Sequence, residues 1–173
     1  MKKFILLLLM FGVTNTIIYS QVENKLAKFP DYQGVVIIQE KSANDIYAGV
    51  KLWVASNFKS ANDVIQLDDK ENGIMVVKGN SIVYFTFVGK KYPARVHFTL
   101  KIEVKDNKFR YTFLVTDVVD ESGNRPISFM NSMVNKPDKA SIKEVADNIV
   151  DKFNDIINKI YSSMLKAQSD NDW

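Results

Sequence analysis

The chain has 173 residues, 23 Lys and Arg against 20 Asp and Glu, one histidine and no cysteine. The absence of cysteine excludes a disulfide framework, a thiol nucleophile, a cysteine-ligated metal and a lipid anchor attached through cysteine. A formal charge of +3 is too weak a field to favour nucleic acid or an anionic membrane.

Lys2 and Lys3 precede an apolar run from Phe4 to Val13, which Thr14, Asn15 and Thr16 interrupt. A bilayer span takes roughly twenty apolar residues. The shorter run suits the central region of a secretory signal, with Ser20 before Gln21 as the small residue at the cleavage point. The reading is a signal peptide at 1–20, export to the periplasm or the exterior, and no membrane span after cleavage. An uncleaved N-terminal anchor is the alternative. Cleavage removes Lys2, Lys3 and no acid, so the charge falls to +1 over the remaining 153 residues. That length is one ordinary domain, long enough to bury a core without disulfides.

Residues 21–33 read as a mixed leader, and residues 34–166 as the single domain. Gly34 opens Val35, Val36, Ile37 and Ile38, an uninterrupted apolar run that predicts a strand covered on both faces. Ser42 can accept the free N–H groups of a helix start, with Asp45 three residues on. Ile46, Tyr47, Val50, Trp53, Val54 and Phe58 then recur at helical spacing, and the helix is expected to end near Asn57. Val64 to Asp68 predicts a short strand, and Asp69 to Gly73 a turn in which Gly73 can take a positive φ. A strand at Ile74 to Lys78 reaches Gly79-Asn80, read as a turn or a bulge. Ser81 to Val88 is the most aggregation-prone stretch and is expected to be paired or covered. Gly89 to Pro93 reads as a loop.

Arg95 to Asp117 predicts a hairpin with Asp106-Asn107 at its tip. That register opposes Lys105 to Lys108, Glu103 to Arg110, Ile102 to Tyr111, Leu100 to Phe113 and Phe98 to Val115, which makes one face uniformly apolar. Val118 to Ala140 shows no period, although Phe129, Met130, Met133 and Val134 indicate some packing. Ser141 and Glu144 have the spacing of a capping box. Behind them Val145, Ile149, Phe153, Ile156, Ile157, Ile160 and Met164 form an amphipathic stripe. Residues 167–173 read as a disordered tail. The order strand, helix, about four strands, helix predicts an α+β two-layer sandwich, an antiparallel sheet of about five strands with two helices on one face.

Ile46-Tyr47 and Trp53, the turn Asp69 to Gly73, the segment Phe98 to Asp106 and Arg110-Tyr111 carry a resemblance to a known family. Over roughly residues 35–118 the chain resembles an uncharacterised family of exported Gram-negative bacterial proteins, a domain of unknown function with a TBP-like fold. The resemblance implies architecture and export. It implies no activity, and the shape of a DNA-binding protein does not bring DNA binding with it.

The chemistry tests mostly fail. His97 is expected to lie on the side of its strand away from the core, without an activated nucleophile in reach. Asp68, Asp69, Glu71 and Asn72 lack the spacing of a calcium loop, because Lys70 stands where a ligand is needed. Asp117, Asp120 and Glu121 read as a solvated loop edge. No cofactor is expected, and the chain is read as a non-enzyme. The outer sheet face remains, where Arg95, Lys101, Lys105, Lys108 and Arg110 stand against Glu103, with Thr99, Thr112 and Leu114 between them. That face reads as a solvated surface or as a shallow basic platform for an acidic envelope protein or an anionic polymer. The function read from the sequence is a non-catalytic binding module of the cell envelope. A carrier with a small apolar ligand between sheet and helices, lined by Tyr84, Phe85, Phe87, Tyr111 and Phe113, is the second reading. A carboxylate-dependent hydrolase is the third. No nucleic-acid partner is expected.

Overall fold

The structure, a computed structural model, describes residues 32–87, 89–121 and 140–169. The expected signal, most of the leader, the group from Phe129 to Val134 and residues 170–173 lie outside the described residues. Five strands form one antiparallel sheet in the order β1-β5-β4-β3-β2. They are β1 (Tyr32–Ile37), β2 (Ile65–Asp69), β3 (Ile74–Phe87), β4 (Lys90–Lys105) and β5 (Lys108–Asp120). The helices are α1 (Ala43–Asn57), α2 (Ala61–Val64) and α3 (Ala140–Ser169).

Alternation along β4 gives the sheet its two faces. Ala94, Val96, Phe98, Leu100, Ile102 and Val104 are buried, and the residues between them are half-buried. The buried face meets Ile46, Tyr47, Val50, Trp53 and Val54 of α1. It also meets the whole predicted stripe of α3, from Val145 to Met164. Phe153 of α3 stacks on Phe113 at 4.0 Å between ring centroids, and Phe98 meets both rings edge-on. The two helices approach closely at Gly49, where an added Cβ would lie 2.6 Å from Met164 Cγ. The layer arrangement is thus the predicted α+β sandwich, with the short α2 as a third helix.

The hairpin takes the predicted register at every pair named above. Its tip does more than turn the chain. Asp106 Oδ1 accepts the N–H of Ala43, and the Asn107 N–H donates to the Lys41 carbonyl. Ser42 and Asp45 complete the capping box from within the helix. The first turn of α1 is therefore capped both by its own side chains and by a hairpin from across the sequence.

Several expectations are corrected. β1 is covered on one face only, because it is an edge strand, with Val35 41% and Ile37 48% exposed. Apolar continuity cannot separate a fully buried strand from an edge strand that shows aliphatic residues to solvent. No turn or bulge occurs at Gly79, and β3 pairs with β4 without interruption. The glycine is needed because the Phe98 ring lies over it, with Cζ 2.6 Å from where a Cβ would stand. The predicted loop at Gly89 to Pro93 is strand from Lys90 onward, with only Gly89 at positive φ. Ser141 is no N-cap, since α3 begins at Ala140, and the Glu144 carboxylate turns to β3 instead.

That turn covers the aggregation-prone stretch. β2 pairs only with Ile74 to Val77, so no described strand lies along the rest of that edge of β3. Glu144 accepts the Thr86 N–H at 2.9 Å and its hydroxyl at 3.0 Å, and Asn148 donates to the Tyr84 carbonyl at 2.7 Å. Two side chains of α3 thus supply the acceptor and donor that a neighbouring strand would offer.

Candidate functional site

Between the hairpin tip and Thr99, no described element covers the face of the sheet opposite the helices. All five basic residues singled out in the sequence stand on this side by strand alternation. The structure does not bring them into one patch. Ten residues of strand separate Arg95 from Lys105, about 33 Å at the rise of an extended chain. Arg95 is also engaged, donating to Asn80 Oδ1 at 3.0 Å and to the Glu121 carbonyl at 2.9 Å.

Glu103 organises the next two. It accepts two bonds from the Arg110 guanidinium, at 2.9 and 2.8 Å, and pairs with Lys101 at 3.1 Å. Arg110 first, then Lys101, hold the Glu103 carboxyl below its ordinary range against the opposing effect of burial. One carboxylate thus serves two cations in a fixed planar geometry. Lys105 and Lys108 differ from the other three. They oppose each other across the hairpin, both exposed, and neither has an ion-pair partner among the described residues. Beside them is a depression of about 320 Å³ whose lining includes Val35, Ile74, Glu103, Lys105, Lys108 and Arg110. It combines an aliphatic wall with three cations and one carboxylate.

The sequence reading missed Val35 and Ile74 as part of this site. The run at Val35 read as a strand covered on both faces, and only the edge position of β1 reveals its exposure; Ile74 read simply as strand, and its half-buried place beside Glu103 follows from the pairing of β3 with β4. It also missed a polar cluster on the helix side. Tyr47 donates to Asp68 Oδ1, and Lys51 Nζ reaches Asp68 Oδ2, each at 2.6 Å. Burial first, then the bond to Asp68, pushes the Tyr47 hydroxyl well above its ordinary range. This cluster ties α1 to β2 and offers no reactive phenolate.

His97 is half-buried opposite Asp117, beside a β-bulge at Thr116, and its side chain makes no hydrogen bond among the described residues. Asp69 is used within its turn, accepting the backbone and side-chain N–H of Asn72 at 3.0 and 2.8 Å. Asp117 accepts the N–H of Val118. Among the described residues no three His, Asp or Glu side chains are grouped to hold a metal. Of the residues expected to line a cavity for an apolar ligand, the described ones do not all face the same side. Phe113 and Tyr111 are packed into the aromatic core, whereas Tyr84 lies on the other face, 55% exposed. The Phe87 side chain lies outside what is described. No described helix is long and apolar enough to cross a membrane.

Residues 32–116 match the model of a family described as a domain of unknown function (DUF4468) with TBP-like fold. A solved DUF4468 family protein from Bacteroides ovatus is similar, with a TM-score of 0.55 and 11% identity, over 83% of this chain and 90% of that one. A TBP-like protein from Parabacteroides distasonis gives a TM-score of 0.47 and 12% identity, over 80% of this chain and 96% of that one. At 11% identity the likeness to the Bacteroides ovatus protein is one of fold. No curated protein matches the chain.

Proposed function

From a chain whose residues 32–116 belong to the DUF4468 family of TBP-like fold, we propose a non-catalytic binding module that holds an acidic protein segment against its open sheet face. The observation that carries this reading is the pair Lys105 and Lys108, without an ion-pair partner among the described residues and beside the aliphatic wall of Val35 and Ile74. Lys101 and Arg110 are already neutralised in part by Glu103. Lys105 and Lys108 therefore supply the spare positive charge, and the wall supplies a place for an aliphatic side chain next to an Asp or Glu. Lys2, Lys3 and the apolar run after them support a setting in the cell envelope, reached by export.

The test is fluorescence anisotropy with a labelled peptide of alternating Glu and Leu. Lys105→Glu together with Lys108→Glu should weaken binding about tenfold or more, and raising salt should weaken wild-type binding, as screened charge contacts require. Lys143→Glu, on the exposed side of α3, is the control and should change little. Equal binding by the double variant and the wild type would remove this face from consideration.

A further inference from the structure

Among the described residues the sheet has four stretches of edge with no neighbouring strand, and three of them are blunted. β2 carries a register shift between Ile65 and Leu67 and ends in two aspartates. β3 beyond Asn80 is closed at Tyr84 and Thr86 by Asn148 and Glu144. β5 beyond Phe113 is bent by the bulge at Thr116, and Asp117 takes the N–H of Val118. Bulges, inward charges and side-chain cover are the devices that keep edges from pairing. Among the described residues none of them lies along Gln33 to Ile37 of β1. Its sequence, Tyr32 to Ile37, holds no charge and no proline.

The direction of its backbone groups follows from one bond. The Ile38 N–H donates to the Asn107 carbonyl at the hairpin tip, at 2.8 Å. Successive residues of a strand point their N–H and C=O to opposite sides. Val36 and Gly34 therefore face β5, while Gln33, Val35 and Ile37 present their backbone donors and acceptors outward. The side chains of these same residues stand on the open sheet face, with Val35 and Ile37 among the exposed large apolar residues of the chain.

We propose that this bare edge pairs with β1 of a second copy, antiparallel about Val35, joining two sheets into one of ten strands. The edge is self-complementary. A twofold axis at Val35 places Gln33 opposite Ile37 of the second copy, so each outward N–H meets an outward C=O. No like charges meet along the strand, because β1 has none. A charged edge would select a partner of opposite charge and repel its own copy; an uncharged one does not.

Sedimentation velocity on the full chain over a range of concentrations tests this, with thermal melts as the folding control. The wild type should sediment as a dimer at tens of micromolar. Val35→Pro removes an outward N–H that no bond among the described residues uses, at an edge position where proline is tolerated. It should give a monomer. Ile37→Lys leaves β1 on β5 and adds an edge lysine, and should also give a monomer, so the test survives a failure of the proline variant to fold. The chain has no cysteine, so Val35→Cys introduces the only thiol. Oxidation should then trap a covalent dimer across the axis, where opposed Cα atoms of a hydrogen-bonded pair lie about 5.5 Å apart. A monomeric wild type overturns the proposal, whether the edge stays bare or another segment of the chain occupies it. A dimer that persists in both Val35→Pro and Ile37→Lys overturns it as well.

Discussion

Asp68 is held from two sides, by Lys51 on one oxygen and by Tyr47 on the other. Both donors favour the carboxylate, Lys51 most, and its pKa lies below the ordinary value. A depressed acid contributes stability above its unfolded pKa of about 3.9, and that contribution is lost as pH falls through the lower folded value. Asp68→Asn should therefore be less stable than the wild type at pH 6, with the gap closing toward pH 2 in urea midpoints measured across that range. None of this was legible beforehand. Asp68 read as one member of an acidic turn, and its partners lie on a helix 17 and 21 residues away in sequence. The basic face was legible as a list of residues, because strand alternation fixes the side on which each one stands. Its division into engaged and free cations was not, since Arg95 finds Asn80 and Glu121 only through the folded sheet.

The hairpin and both long helices declare themselves through period and punctuation. An apolar register that closes at every pair leaves little freedom to the fold of residues 95 to 117, and the α3 stripe is buried throughout. What sequence cannot distinguish is a glycine that turns the chain from one that makes room. Gly79 lies under a Phe98 ring and Gly49 against Met164. Gly49→Ala gains about 1 kcal/mol of helix propensity but overpacks the contact between α1 and α3, at a cost of about 1–3 kcal/mol. A net loss of about 1 kcal/mol in urea unfolding is expected. Nor can local spacing show that Glu144 prefers a strand edge to its own helix end. Glu144→Ala leaves the part-buried Thr86 N–H without an acceptor, which costs about 1–3 kcal/mol, and exposes the edge of β3. Faster growth of light scattering on mild heating is expected, with Glu144→Gln closer to wild type because its amide oxygen still accepts.

The whole molecule is held by a core in which three aromatic rings from β4, β5 and α3 lock the layers together. Phe153→Ala should cost about 3–5 kcal/mol, a large share of the 5–15 kcal/mol typical of a domain, and the melting temperature should drop by roughly 10 °C. Pairing through β1 would set two open faces side by side and bring two Lys105 and Lys108 pairs onto one surface. The hairpin tip on α1 has a consequence in time. Asp106 reaches the start of α1 across 63 residues of chain. A hairpin closes locally within about 1–10 μs, whereas its docking waits for the layers to assemble. In stopped-flow chevrons Asp106→Ala should therefore speed unfolding and leave the refolding arm nearly unmoved. Early in folding, the first turn of α1 has its own capping box alone; the clasp from the hairpin closes last and is the first to open.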